Sequence, residues 1–211
     1  MSSAPSSTAK AWDHFFRDVN RLTPTALAYW SAMLLNAGVL AFLWSRGKAD
    51  HPMFGLLVAI WTFVLGPGVA IPVMVRLPPR WFHVRASERT VHRMLGVDAF
   101  GWLLERSGYN RRHVHPMWGF SMNRAGLALR AQAARGGASA HGASFVIHVV
   151  LAALAVFTGY PWGVVWILLP GVVLHLYPVL LQRAILLRLQ PLLSRSGAAE
   201  RLPEASAPTP P

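Results

Sequence analysis

The sequence predicts an all-α integral membrane protein with four transmembrane helices and a helical cytoplasmic segment between the second and third of them. Of its 211 residues, 54% are hydrophobic and 13% are charged, whereas charged residues make up about a quarter of a soluble globular domain. Apolar blocks of about twenty residues, the length that a helix needs to cross a bilayer, recur along the chain. The predicted spans, which contain no Asp, Glu, Lys or Arg, are residues 26–44, 53–75, 143–159 and 162–181.

The distribution of positive charge predicts how these spans are oriented. Of the 20 Lys and Arg residues, 18 lie before the first span, between the second and third, or after the fourth, and 2 lie in the loop 45–52. Because Lys and Arg concentrate on the cytoplasmic side of a membrane, both termini and the central segment are predicted to be cytoplasmic. We therefore expect a multi-pass cell membrane protein of a bacterial inner membrane.

The net charge of +12 is explained by this topology and by attraction to an anionic lipid surface, so nucleic acid is not an expected partner. The chain has no cysteine, which excludes disulfide bonds, thiolate catalysis and cysteine-ligated metals.

Changes in composition divide the chain into five regions. We expect an amphipathic arm that lies on the inner leaflet, the first two spans, a basic cytoplasmic lid segment, the last two spans with a basic end, and a disordered tail rich in Ala, Ser and Pro. These regions are residues 1–25, 26–75, 76–142, 143–193 and 194–211.

The lid segment is predicted to contain short helices that end at glycines. Two helices are expected over 87–95 and 98–107, each followed directly by a glycine, and a third over 124–135, which ends at the pair Gly136-Gly137. The segment is too short to build a large core of its own, so we expect it to pack onto the spans.

Three histidines lie in or beside the last two spans, where ionisable groups are costly and face a partner or a cavity. A turn of only a few residues near Tyr160 makes these spans an antiparallel hairpin, in which residues at equal depth have a constant index sum. This rule places His148 level with His175, and His141 level with Gln182. The alternative to a functional role is that His148 and His175 only hydrogen-bond each other or nearby serines.

His141 is the strongest of the three candidates. It lies within a run of small residues, 136–144, that lets a neighbouring helix or a substrate chain approach closely. A neutral imidazole at the membrane surface can accept a proton from a hydroxyl group. The alternative is that the small residues serve helix packing and His141 is an interface residue.

The sequence lacks several motifs that are typical of particular enzyme classes. His92 and Asp98 are separated by five residues, whereas soluble glycerolipid acyltransferases have four between these residue types. His113 and His115 are too few for a di-iron site, and no metal is expected. The sequence also lacks a serine nucleophile elbow, a phosphate-binding P-loop and a zinc-protease motif.

Two groups of short motifs resemble the glycosyl-4,4'-diaponeurosporenoate acyltransferase (CrtO-like) family. The first group is Arg85-Ala86-Ser87-Glu88, Leu95-Gly96-Val97, Trp102-Leu103-Leu104 and Asn110-Arg111-Arg112. The second is Leu176-Tyr177-Pro178-Val179-Leu180-Leu181-Gln182-Arg183 followed by Leu187-Arg188-Leu189, which is similar to the family's closing signature N-x-P-x-x-x-Q-R-Y-N-R-x-R-L. His141 resembles the family's histidine at the start of the third span.

The chain departs from the family pattern at three places. The asparagine that opens the closing signature is His175, the Y-N-R triplet is Ala184-Ile185-Leu186, and the acidic residue three positions before the histidine is Ala138. A carboxylate beside the histidine would orient the imidazole as a base, so His141 needs another orienting partner.

The resemblance implies an enzyme that transfers a fatty acyl group to a sugar hydroxyl of a glycosylated carotenoid or similar membrane glycolipid. The donor is expected to be acyl-CoA or a similar co-substrate, with no further cofactor. His141 is then the general base, and Gln182 and Arg183 stabilise the oxyanion. The expected substrate-binding residues are Arg85, Glu88, Asn110, Arg111, Arg112, His148 and His175.

A second hypothesis belongs to another class of protein. Having lost the acidic residue and the Y-N-R triplet, the chain would bind a membrane lipid or carotenoid without catalysis, or hold partners together in a biosynthetic complex.

Overall fold

The computed structural model describes residues 23–109 and 124–195, which form helices joined by turns, with no strand in these ranges. Residues 1–22 of the predicted arm, residues 110–112 and the predicted tail after residue 195 lie outside the described residues. The helices are α1 (Pro24–Ser45), α2 (Pro52–Arg76), a 3₁₀ helix (Pro79–Phe82), α3 (Glu88–Met94), α4 (Val97–Arg106), α5 (Arg124–Phe157), α6 (Pro161–Gly171), a π-helical segment (Val172–Leu176) and α7 (Tyr177–Arg195). The helix α6, the π-helical segment and α7 form one continuous helical stretch, Pro161–Arg195.

Three helical stretches are long and apolar enough to cross a membrane, as expected of a membrane protein. They are Pro24–Ser45, Gly126–Phe157 and Pro161–Arg195. The prediction of four spans was therefore wrong in number. The second predicted span lies in α2, whose described part contributes the shorter apolar stretch Pro52–Gly66.

The long helix α5 corrects a second prediction. It runs through Gly136-Gly137, where a helix end was expected, and so joins the predicted lid helix 124–135 to the third span. A glycine inside a helix costs only about 1 kcal/mol relative to alanine. A Cβ at Gly137 would lie 3.1 Å from Gln182, so this glycine permits close contact between α5 and α7. The two shorter lid helices are confirmed as α3 and α4, and Gly96 between them has φ +67°.

Two antiparallel hairpins, α1–α2 and α5–α6, place their connections at the same end of the bundle, here called the turn end. The carboxylate of Asp50, in the first connection, accepts a hydrogen bond of 2.6 Å from the backbone N–H of Gly163 in the first turn of α6. The ring of Trp44 packs edge-on against Tyr160, with 5.8 Å between centroids. Residues 23 and 195 therefore both lie at the opposite end.

That opposite end carries the 3₁₀ helix, α3 and α4, which pack along α7 as expected. An apolar cluster joins residues of the 3₁₀ helix to α5 and α7, and includes Phe82, Ala131, Leu186 and Leu189. The side-chain amide of Gln190 donates to the carbonyl of Phe82 at 3.2 Å.

Helices α2 and α6 approach each other so closely that one position has no room for a side chain. A Cβ added to Gly55 would collide with the main-chain carbonyl of Trp166. This carbonyl is also without its ordinary helical donor, because the residue four positions later is Pro170, which has no N–H. Glycine at position 55 is thus required by backbone-to-backbone packing.

We predict that Gly55→Ala destabilises the protein, because either α2 or α6 must shift to admit the methyl group. Overpacking of this kind costs about 1–3 kcal/mol. Gly38→Ala is the matched control: it lies within α1, nothing lies within 4 Å of its added Cβ, and alanine favours a helix. Thermal unfolding in detergent should show a lower midpoint for Gly55→Ala than for Gly38→Ala, and equal midpoints would contradict the packing.

Candidate functional site

Three histidines from two helical stretches meet one threonine inside the bundle. His141 and His148 come from α5, His175 comes from the π-helical segment, and Thr62 comes from α2. The Thr62 hydroxyl lies 3.0 Å from Nε2 of His148 and 2.9 Å from Nε2 of His175. The Nδ1 atom of His175 lies 3.2 Å from Nδ1 of His141. The four side chains therefore form a continuous chain of polar contacts.

Most of this chain of polar contacts is buried inside the protein. Thr62, His148 and His175 have no exposed surface, whereas His141 at the end of the chain is only partly buried. Ser144 is also fully buried, and its hydroxyl donates to the main-chain carbonyl of Thr62 at 2.9 Å. Buried polar groups are stable when they are hydrogen-bonded, and these contacts supply the partners.

The π-helical segment exists where prolines interrupt the regular hydrogen bonds. Pro178 has no N–H for the carbonyl of Leu174 four residues earlier, and His141 interacts with this main-chain group. The N–H of Tyr177 instead bonds the carbonyl of Val172, five residues earlier. Such π-helical turns occur frequently at functional sites, and here the turn places His175 between the other two histidines.

His148 occupies space that a glycine leaves open. Its Nδ1 lies 2.7 Å from the carbonyl of Ile167. A Cβ added to Gly171 would lie 2.7–2.8 Å from three atoms of the His148 side chain. The ring therefore reaches the main chain of α6 because position 171 has no side chain.

The predicted hairpin register is confirmed for one pair. The rings of His148 and His175 lie 5.2 Å apart between centroids. In the other pair, Gln182 packs against Gly137, four residues before His141. The Gln182 side chain therefore contacts α5 about one turn from His141.

Arg183 lies outside the histidine chain and ties α7 to α3. Its Nε and Nη2 atoms donate to the two carboxylate oxygens of Glu88, both at 2.8 Å, and Nη1 donates to the carbonyl of Trp81 at 2.8 Å. Glu88 also accepts the backbone N–H of Arg85 at 3.1 Å. The hydrogen bonds from Arg183 hold the pKa of Glu88 below its ordinary value.

The chain matches a protein-family model. The family model of glycosyl-4,4'-diaponeurosporenoate acyltransferase (CrtO) matches residues 78–195, more than half of the chain. The chain belongs to this family. No curated protein and no solved structure matches it.

This acyltransferase-family region contains most of the site. It covers the three histidines, Gln182 and the Glu88–Arg183 pair, whereas Thr62 precedes it. Family membership favours acyltransferase activity on a glycosyl carotenoid. Of the substrate-binding residues predicted from the sequence, Asn110, Arg111 and Arg112 lie outside the described residues.

Two residues of the site were not predicted from the sequence. Thr62 gave no signal in the sequence, because a threonine in an apolar helix is commonly placed to bond its own backbone, and the Thr62 oxygen does lie 2.9 Å from the carbonyl of Val58. His92 is 5% exposed on α3, one turn after Glu88, and its Nδ1 has no hydrogen-bond partner in the described part of the chain. Burial lowers the pKa of His92, which keeps its ring neutral at pH 7. The sequence signal that could have pointed to His92 is its spacing of four residues from Glu88, which places both residues on one face of a helix.

An apolar groove of about 440 Å³ lies between α1, α2 and α5 near the turn end. It passes beside Trp61, the neighbour of Thr62, and Leu151, which is three residues from His148. Its remaining lining residues are Ala37, Leu40, Ala41, Trp44, Ser45, Phe54 and Leu154. Within residues 23–109 and 124–195, no group of three or more His, Cys, Asp or Glu side chains could hold a metal ion.

We predict that Glu88→Gln loosens α3 from α7, because one charge-assisted contact to Arg183 is lost. Hydrogen bonds to charged groups contribute about 1.5–3 kcal/mol, so amide hydrogen exchange in α3 should accelerate about tenfold or more at pH 7. The lowered pKa means that this stabilisation is present above the carboxyl's ordinary pKa of about 4.3 and is lost as pH falls through the lower folded value. The difference between variant and parent should therefore vanish in acid.

Asp98→Asn is the matched control for that experiment. Asp98 pairs with Arg188 at 2.9 Å, but both side chains are more than 70% exposed, and exposed pairs contribute little. Equal exchange rates in Glu88→Gln and Asp98→Asn would contradict the role assigned to Glu88.

Proposed function

We propose that the protein is a membrane acyltransferase that esterifies a sugar hydroxyl of a glycosylated carotenoid or similar glycolipid, with His141 as the general base. The observation that carries this proposal is the placement of His141. It is the partly exposed end of a buried polar chain, and it lies on α5 among the small residues Gly137, Ala140 and Gly142. Family membership supports the reaction class.

In the proposed reaction, Nε2 or Nδ1 of His141 removes the proton from the acceptor hydroxyl as its oxygen attacks the acyl carbonyl carbon. A new C–O bond forms, and the carbonyl electrons move to the oxygen. When the tetrahedral intermediate collapses, the bond to the leaving thiolate breaks and the imidazolium returns the proton to it. The donor is acyl-CoA or a similar thioester, and a general base of this kind contributes about 10²- to 10⁴-fold.

Gln182 and Arg183 are the proposed donors to the oxyanion. Gln182 lies one helical turn from His141, against Gly137. Arg183 uses three of its five N–H groups on Glu88 and Trp81, which leaves two N–H groups beyond those bonds. Donors held at this position are already oriented when the charge develops on the oxygen. They therefore stabilise the transition state more than the bound substrate, which lowers the barrier.

The exposed arginines of α3 and of the turn before it are the proposed site for an anionic donor. Arg85, Arg89 and Arg93 are exposed, and the guanidinium group matches phosphate geometry. The apolar groove beside Trp61 and Leu151 is the proposed location of a hydrocarbon chain of one substrate.

We predict that the α3–α4 end of the bundle, with both chain termini, faces the cytoplasm of the cell membrane. The helix α2 returns the chain to the end from which α1 starts, and 18 of the 20 Lys and Arg residues belong to sequence segments other than the loop 45–52. Reporter fusions after Ala49 should score as external and fusions after Leu193 as cytoplasmic. The reverse pattern would place the donor site on the wrong side of the membrane for a cytoplasmic thioester.

We predict that His141→Ala lowers acyl transfer by about 10²- to 10⁴-fold while the protein remains inserted and folded. The assay is ester formation on a glycosylated carotenoid in membranes that contain the variant. His51→Asn is the control, since it changes a histidine at the turn end and retains a side chain that can cap α2, where Nδ1 of His51 accepts from Met53 at 3.2 Å. Undiminished activity in His141→Ala would exclude the base assignment. If neither the parent protein nor His141→Ala forms ester, the result favours the non-catalytic binding hypothesis.

A further inference from the structure

We propose that Thr62, His175 and His148 form a directional hydrogen-bond relay that positions His141 with its lone pair on Nε2. The inference rests on the proposed role of His141 as the base. It supplies the orienting partner that Ala138 does not provide, and it assigns a function to α2, which precedes the region matched by the family model.

The direction of the relay is set at its inner end. The carbonyl of Ile167 can only accept a hydrogen bond, and Nδ1 of His148 lies 2.7 Å from it. Nδ1 of His148 therefore carries a proton. In a neutral imidazole the other nitrogen is then an acceptor, so Nε2 of His148 takes a proton from the Thr62 hydroxyl at 3.0 Å.

The hydroxyl of Thr62 has a single proton, which transmits this direction. If that proton goes to His148, the oxygen accepts from Nε2–H of His175 at 2.9 Å. In the competing arrangement, Thr62 donates to the carbonyl of Val58 at 2.9 Å. The lone pair on Nε2 of His148 then faces the Thr62 oxygen without a proton between them, unless both ring nitrogens of His148 are protonated. An unpaired buried nitrogen is costly, and a cation in a side chain with no exposed surface is more so.

His175 passes the direction on to His141. With its proton on Nε2, neutral His175 has its lone pair on Nδ1, which lies 3.2 Å from Nδ1 of His141. Nδ1 of His141 therefore donates to Nδ1 of His175. Nε2 of His141 is left with the lone pair that removes the hydroxyl proton.

The relay does for His141 what a carboxylate does in other histidine-based sites. It selects one tautomer and one ring orientation before substrate binds. When Nε2 takes the hydroxyl proton, the ring becomes a cation and its bond to neutral His175 becomes charge-assisted, which strengthens it. The proton later returns to the leaving thiolate, so the relay ends each turnover in its starting state.

The test compares Thr62→Val, which keeps the shape and removes the hydroxyl, with Thr62→Ser, which keeps the hydroxyl. Thr62→Val should lower kcat about 10- to 100-fold with little change in KM, the range found for residues that orient a metal-bound histidine, and Thr62→Ser should recover most of the loss. Thr158→Val is the matched control, because within the described part of the chain the Thr158 hydroxyl bonds the carbonyl of Leu154 in the preceding helix, at 2.8 Å, and nothing else. A kcat in Thr62→Val equal to that in Thr158→Val would overturn the proposal.

The second readout is nitrogen-15 NMR of the parent protein with labelled histidine, which needs no substrate. Neutral His148 and His141 should show protonated Nδ1 and unprotonated Nε2, and His175 the opposite tautomer. A His141 spectrum with the proton on Nε2 would overturn the proposal even where Thr62→Val fails to fold. If the parent forms no ester, the proposed function fails, and the NMR pattern alone then decides whether the relay exists.

Discussion

The hydroxyl of Thr62 is the contact on which the arrangement of the bundle depends. One oxygen atom lies within 3.1 Å of two histidine nitrogens and two carbonyls of its own helix, and it has no exposed surface. A polar group in such a place is costly unless it is paired, so α2 must keep its register with both α5 and the π-helical segment. Glycines at 55 and 171 make this possible, since side chains there would collide with Trp166 and His148.

The two ends of the bundle hold that register in different ways. At the turn end, Asp50 accepts from the backbone N–H of Gly163 and so fixes the start of α6. At the other end, Glu88 and Arg183 fix α7 to α3. The π-helical segment lies between these two attachments. Its position relative to α5 is therefore determined by contacts that lie outside the histidine chain as well as by the chain itself.

Local patterns in the sequence predicted the parts of the structure that depend on local geometry. The short turn at Tyr160 and helical periodicity were enough to bring His148 to His175, and Gly96 marked the junction of α3 and α4. The continuation of α5 through Gly136-Gly137 was not predictable, because the small local cost of glycine is outweighed by packing against Gln182, a tertiary effect. The contact of Gln182 with Gly137, about one turn from His141, depends on side-chain packing between α5 and α7, which the index rule does not describe. The role of Thr62 depends on packing between helices that are distant in sequence.

The resemblance to the family implies an acidic residue at the position of Ala138 and an asparagine at that of His175, and the proposed relay gives both departures one physical explanation. A carboxylate at the partly buried position of Ala138, three residues before His141, would need a charged partner, because an unpaired charge in an apolar bundle is strongly unfavourable. A neutral chain of His175, Thr62 and His148 satisfies every donor that faces it without burying any charge in the resting state. It stabilises the His141 cation less strongly than a carboxylate would, since a neutral acceptor offers only a dipole. Under the proposed mechanism, the neutral relay gives up some stabilisation of the cation in return for a resting state that can be buried completely, and the charge appears on His141, at the partly exposed end.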